Sequence, residues 1–322
     1  MPYHHITKKE RIEISALKKA EHTNGEIAKQ IGCDRSTIGR ELKRNETEIY
    51  FETFRYIPGK ANKKTKQRRM VANQQKKKLV QGSRLTKYVE TKMKRYWSPE
   101  QISGRRKDEK RSPISHETIY QYVYKEKKEL IPYLRYKKSK YRRRHGTRAR
   151  ESRREDKKKK KIEERPKVVE TRTRIGDWEG DTVIGKERTK RILTHVERKS
   201  GYLKASKIDR VSAEEIRKQT ESAFQGLPKK KRHTITYDNG KEFSEHETTE
   251  RNLGISIFFA NVYRSWERGT NENTNGLLRQ FFPKQMYFEN LTEEKLQWAV
   301  RLINNRPRKR LGYKTPQEIF NA

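Results

Sequence analysis

Residues 171–185 read TRTRIGDWEGDTVIG, and they set three carboxylates, Asp177, Glu179 and Asp181, into five positions of a chain with 81 Lys and Arg against 42 Asp and Glu. From Asp177 onward the stretch suits a β-strand, because Thr182, Val183 and Ile184 are β-branched. Residues 190–208 (KRILTHVERKSGYLKASKI) read as two strands joined by a Lys-Ser-Gly turn. A Ser212/Glu215 capping box then opens a helix with Ile216, Ala223, Phe224 and Leu227 on one face. HTITYDNG, 233–240, is a strand ending at Asp238, and ISIFFA, 255–260, is another strand after a further helix. Three strands, helix, strand, helix, strand and closing helices predict an α/β domain with a mixed sheet over 169–322.

The net charge of +39 over 322 residues exceeds what solubility requires, and the partner it fits best is a polyanion, nucleic acid first. No apolar stretch approaches the roughly 20 residues of a membrane span, and the N-terminus lacks the apolar core of a signal peptide. A cytoplasmic, nucleoid-associated protein is expected. Cys33 is the only cysteine, which excludes an internal disulfide and a cysteine-rich zinc site. With 30% hydrophobic residues, the length allows modest domains separated by solvated segments. Residues 60–78 hold nine Lys/Arg and no acid, and 135–161 hold 16 against three. Linkers are therefore expected over 48–83 and 135–168, both tracking phosphates without burying a core.

Residues 1–47 read as a helix-turn-helix DNA-binding domain. Thr7 with Glu10, and Thr23 with Glu26, form capping boxes, Gly32 supplies the turn, and DRSTIGRELKRN buries Ile38 and Leu42. Arg35, Ser36, Thr37, Arg40 and Arg44 are left outside, side chains of the kinds that reach base edges and phosphates in a major groove. Residues 84–134 repeat the pattern: Ser98 and Pro99 restart a helix, and SPISHETIYQYVYKEK leaves Ser115, His116, Glu117 and Gln121 exposed. This predicts a second helix-turn-helix-like module; a helical spacer is the alternative.

Ligands gather at strand ends of such sheets. Neighbouring strands would bring Asp181 and Asp238 together, and ERGTNENTNGLLRQFF supplies Glu272 in the first turn of a helix capped by Thr270 or Asn271. Arg279, seven residues on, shares the Glu272 face. Three clustered carboxylates repel unless cations neutralise them. Two magnesium or manganese ions about 3.5–4 Å apart would do so and would drive phosphoryl transfer.

GDWEGDTVIG, TYDNGKEF and SWERGTNENTNGLLRQFFP resemble the three catalytic blocks of the insertion-sequence 30 family of transposases. The likeness covers nearly the whole chain, including the 33 residues between Asp238 and Glu272 (272 − 238 − 1). It implies helix-turn-helix modules followed by a ribonuclease H-like catalytic domain, with Asp181, Asp238 and Glu272 as metal ligands and Arg279 as the basic partner. It also implies cleavage that frees a 3′-hydroxyl at an element end, then attack by that hydroxyl to join strands. Double-stranded DNA, both the inverted-repeat ends and a target, is the implied partner, and pairing two ends implies at least a homodimer. Asp177, where the family pattern has His, is a rival to Asp181, because residues four apart on a strand face the same way.

Asn239 and Gly240 read as the turn that admits DNA backbone to Asp238. Asn271, Asn273 and Asn275 are candidates for phosphate or base contacts, and Trp266 and Arg268 for holding a flanking nucleotide. His195 and His233 are assigned to structure. Arg306, Arg308, Lys309 and Arg310 near the C-terminus are expected to face DNA. Two rivals remain: a DNA-binding regulator with a non-catalytic C-terminal domain, and a metal-dependent nuclease that cuts without joining.

Overall fold

A computed structural model describes residues 5–46, 56–75, 77–135, 159–261 and 264–322. The chain divides into two compact units, Met1–Val80 and Gln81–Ala322.

In the first unit, α1 (Lys8–Lys19), α2 (Asn24–Ile31) and α3 (Arg35–Asn45) start at their caps. Thr7 with Glu10 and Thr23 with Glu26 close reciprocal boxes, and the Asp34 carboxylate accepts the Ser36 N–H. Gly32 ends α2 at φ 74°, a left-handed conformation that glycine adopts without Cβ strain. Ile14, Ile27, Ala28, Ile38 and Leu42 form the core. The linker expected over 48–83 is corrected in part, because it contains α4 (Pro58–Gln75), and Tyr56 and Ala61 join that core. Polar contacts attach this helix. Arg11 pairs with Glu41 at 2.7 Å and reaches Asn62 at 3.4 Å and Thr65 at 3.3 Å, while Arg68 Nη2 donates to Asn45 Oδ1 at 2.6 Å. A charge-rich sequence thus docks without an apolar stripe.

The second unit opens with α5 (Arg84–Lys94), α6 (Pro99–Asp108) and α7 (His116–Lys125), capped by Ser83, Ser98 and Ser115. Val89, Met93, Ile102, Ile119 and Val123 are fully buried. The sheet domain follows with α8 (Val168–Thr171), β1 (Asp177–Ile184), β2 (Arg191–Glu197), β3 (Leu203–Ile208), α9 (Ala213–Phe224), β4 (Thr234–Tyr237), α10 (His246–Leu253), β5 (Ser256–Phe259), α11 (Gly269–Leu278), α12 (Glu293–Asn304) and α13 (Pro316–Asn321). Strand order is β3-β2-β1-β4-β5. The first three strands pair antiparallel, and β4 and β5 add in parallel, giving a mixed sheet. Alternation divides its faces: Val183, Ile192, Val196 and Leu203 pack under α11 and α12, and Trp178, Leu193, Ile235 and Ile257 pack with Ile216 and Phe224 of α9.

Residues 136–158, the body of the second expected linker, lie outside the described residues. Its end is corrected: Lys161 bridges to Phe259, and buried Arg165 donates to Thr236 Oγ1 at 2.8 Å, so 159–168 edge the sheet. No described helix is long and apolar enough to cross a membrane.

Candidate active site

Strand register decides which carboxylates meet. Asp177, Trp178 and Glu179 of β1 lie opposite Thr234, Ile235 and Thr236 of β4. Carried two residues further, that pairing sets Asp181 beside Asp238. One guanidinium spans the two: Arg268 Nη1 is 3.5 Å from Asp181 Oδ1, and Nη2 is 3.4 Å from Asp238 Oδ2. Burial pushes the Asp181 carboxyl above its usual range, Arg268 lowers it and Asp238 raises it. Asn275 Nδ2 donates to Asp181 Oδ2 at 2.9 Å, and Gly240 N–H donates to Asp238 Oδ1 at 2.9 Å.

Gly180 permits this proximity. A Cβ there would fall 2.1 Å from the ring of Tyr237, the residue that leads into Asp238. Beyond Asp238 the loop is anchored through Glu242, which accepts from Arg191 Nη1 at 2.6 Å.

Asp177 sits at the far end of β1. Arg174 forks onto it at 2.8 and 2.9 Å, and Thr234 Oγ1 donates to it at 2.8 Å. Its carboxylate is sealed in a structural ion pair away from Asp238.

Sequence reasoning missed Glu179, although the alternation Asp177, Glu179, Asp181 was the available signal. It is fully buried, and its Oε2 accepts the Asn271 backbone N–H at 2.8 Å, while Asn271 Nδ2 donates to the Glu179 carbonyl at 3.0 Å. That bond corrects the expected Thr270 or Asn271 cap. α11 begins at Gly269 without a side-chain cap, because a sheet carboxylate satisfies a first-turn N–H instead. The Thr194 hydroxyl lies 3.1–3.2 Å from the Asp181 carbonyl and from the Asn271 and Asn275 side-chain oxygens, tying β1, β2 and α11 together.

Glu272 is exposed in the first turn of α11, one turn before Asn275. Among the described residues, no three acidic, histidine or cysteine side chains converge closely enough to hold a metal ion. Glu272 stands on the helix whose Asn275 donates to Asp181, and what the structure brings together is the Asp181–Asp238 pair. Its donors suit a hard divalent ion: two carboxylates side by side, with a guanidinium standing where a cation would balance them. Arg279 is not part of this cluster; it caps the end of α11 and donates to the Ile184 carbonyl at 2.9 Å. Trp266 lies in a 3-10 turn, and its side chain is outside the described residues. His195 is buried and neutral, hydrogen-bonded to the Tyr237 hydroxyl at 2.9 Å, with burial pushing its pKa down to about 3.

On α3, Arg35, Ser36, Arg40 and Arg44 are exposed and Thr37 is half-buried; Arg40 Nη2 donates to Ser36 Oγ at 2.7 Å. On α7, His116, Glu117 and Gln121 are exposed, and the Ser115 hydroxyl accepts the Thr118 N–H at 3.1 Å as N-cap.

A family described as a helix-turn-helix domain matches residues 2–45. The chain is 39% identical to the transposase for insertion sequence element IS4351 of Bacteroides fragilis, over 98% of this chain and 95% of that one. It is 34% identical to the transposase InsI for insertion sequence element IS30A of Escherichia coli, over 98% and 83%. The chain belongs to the insertion-sequence 30 family of transposases. It also aligns with the catalytic core domain of BIV integrase, at 23% identity and a TM-score of 0.37, over 45% of this chain and 93% of that one.

Proposed function

We propose that this transposase-family protein binds the inverted-repeat ends of its own element and carries out metal-dependent strand cleavage and strand transfer. The observation that carries the reading is the side-by-side placement of Asp181 and Asp238 under a single bridging cation, in a chain of net charge +39. Asp181, Asp238 and Glu272 would hold two magnesium or manganese ions, which would supply charge neutralisation for the attacking and leaving oxygens of an in-line displacement.

The remaining work falls to the chain's own side chains. Asn275 orients the Asp181 carboxylate, and the Gly240 N–H orients that of Asp238. Glu179 fixes the start of α11 and with it the position of Glu272. Arg268, already within reach of both aspartates, supplies positive charge to the scissile phosphate. The exposed side chains of α3 and α7 read the ends, and Lys/Arg-rich segments hold the backbone. Pairing of two ends calls for a homodimer or larger assembly on DNA.

The test incubates the purified protein and its Asp238→Asn variant with a supercoiled plasmid carrying the repeats, with magnesium or with EDTA. Magnesium-dependent breaks and joints at the repeat tips, lost in a variant that still binds, are the expected result. Binding without breakage would replace this reading with a regulator, and scattered breaks without joints would replace it with a nuclease.

A further inference from the structure

A cavity of about 700 Å³ lies between the second helical module and the sheet domain, lined by Tyr120 and Gln121 of α7 and by Arg135, Arg306 and Arg308 among others. Its walls are held in one unit. Arg105 forks onto Glu318 at 2.8 and 2.7 Å, a Cβ on Gly104 would fall 2.2 Å from the Tyr313 ring, and Gln280 Nε2 donates to the Tyr133 carbonyl at 3.1 Å.

The charge of this cavity is unbalanced. Arg306 is 2% exposed, its Nη atoms meet only the neutral Gln280 Oε1 at 3.2 Å, and its Nε has no partner. Arg308 Nη2 donates to the Ile303 carbonyl at 3.1 Å. Neither guanidinium has a carboxylate partner among the described residues, and Arg135 adds positive charge near both. Two acids reach the cavity, but Lys309 holds Glu100 at 2.9 Å and Gln121 donates to Glu117 at 3.2 Å. Burying a guanidinium without an anion is costly, so such a cation marks the place of an anion that arrives from outside.

Part of the lining is aromatic. Tyr120 and Tyr124, one turn apart on α7, stack with ring centroids 6.1 Å apart and planes 10° apart. Both line the cavity. Guanidiniums and aromatic rings lining one cavity are the combination that holds single-stranded nucleic acid, through phosphate charge and base stacking. The volume falls within the about 300–1,000 Å³ of small-ligand sites, which admits an unpaired nucleotide and excludes a duplex.

We infer that this cavity binds an unpaired nucleotide of the DNA substrate, its phosphate on Arg306 and Arg308 and its base on Tyr120 and Tyr124. The inference rests on the DNA-processing reading above and extends it. The helix expected to read duplex DNA faces the catalytic domain across a pocket for a strand that has left the duplex. The cavity thus sets a pocket for a single strand beside the helix expected to recognise the end.

The test uses the full chain and a duplex with a short single-stranded overhang carrying one 5-iodouracil, irradiated and mapped by mass spectrometry. Cross-links to Tyr120 or Tyr124 are expected. They should fall by about tenfold or more in Arg308→Gln and in Arg306→Met, the scale of losing a charged hydrogen bond to the phosphate. Thermal unfolding of each variant checks folding, and Arg308→Gln serves if Arg306→Met does not fold. Added inorganic phosphate that removes the cross-link only at concentrations far above that of the DNA supports a strand phosphate as the ligand. Phosphate that removes it at equimolar concentration would mean a free-anion site and would overturn the inference. Cross-links confined to other residues, or an unchanged yield in both arginine variants, would overturn it too. Because the readout needs no cleavage, Asp238→Asn should cross-link like the wild type, so failure here is separable from failure of the catalytic reading.

Discussion

Replacing Glu179 with alanine should loosen the catalytic domain from within. The side chain is fully buried, accepts the Asn271 N–H at 2.8 Å and stands 3.2 Å from Arg198 Nε, in ionic contact though not aligned as a hydrogen bond. Removing one partner of a buried ion pair costs about 3–5 kcal/mol, because the other charge is left uncompensated. Arg198 keeps a second acid, Glu170, at 3.3 Å, which places the loss at the lower end, about 3 kcal/mol. For a unit of this size each kcal/mol is worth about 2–4 °C, so differential scanning fluorimetry should show a fall of about 6–12 °C. Glu179→Gln, which can still accept from Asn271, should lose less. A melting temperature for Glu179→Ala within about 2 °C of the wild type, a shift below one kcal/mol on that scale, would refute the assignment of Glu179 as a buried anchor of the domain.

The buried imidazole gives a pH-dependent prediction. With its pKa pushed down to about 3 in the fold, His195 stays neutral while the unfolded chain takes up a proton below about 6.5, so its contribution is complete above that pH and erodes as pH falls toward 3. Urea melts should show the stability advantage of wild type over His195→Asn shrinking by about 1.4 kcal/mol per unit between pH 6 and 4; a constant difference would contradict this. Gly180→Ala should destabilise by about 1–3 kcal/mol through overpacking against Tyr237 and should impair strand joining more than DNA binding. Parallel loss of both would mean a global rather than a local defect.

Much of the fold was legible because its signals are local. Caps at Thr7, Thr23, Ser98 and Ser212, the alternation in β1 to β3, and strand ends at Asp238 and Ala260 required no knowledge of partners. The pairing of Asp181 with Asp238 was legible too, since parallel neighbours bring equivalent ends together. What escaped depends on distant polar contacts. α4 docks through Arg11 and Arg68, and its charge made it read as linker. Glu179 looked like one more acid until α11 delivered the Asn271 N–H to it. Arg306 and Arg308 were expected to face DNA, whereas Arg306 is buried and donates to Gln280. No local pattern distinguishes a solvated arginine from one enclosed by another part of the chain.

The most direct measurement is strand joining from a pre-cleaved repeat end with Asp181→Asn, Asp238→Asn, Glu272→Gln and Asp177→Asn, each checked for folding and end binding. Asp181, Asp238 and Glu272 variants that bind should lose more than about a hundredfold in joining, beyond the about 10–100-fold typical of residues behind the ligands, while Asp177→Asn stays within about tenfold. Full joining by Glu272→Gln, or a loss in Asp177→Asn that matches Asp181→Asn, would contradict the proposed carboxylate set.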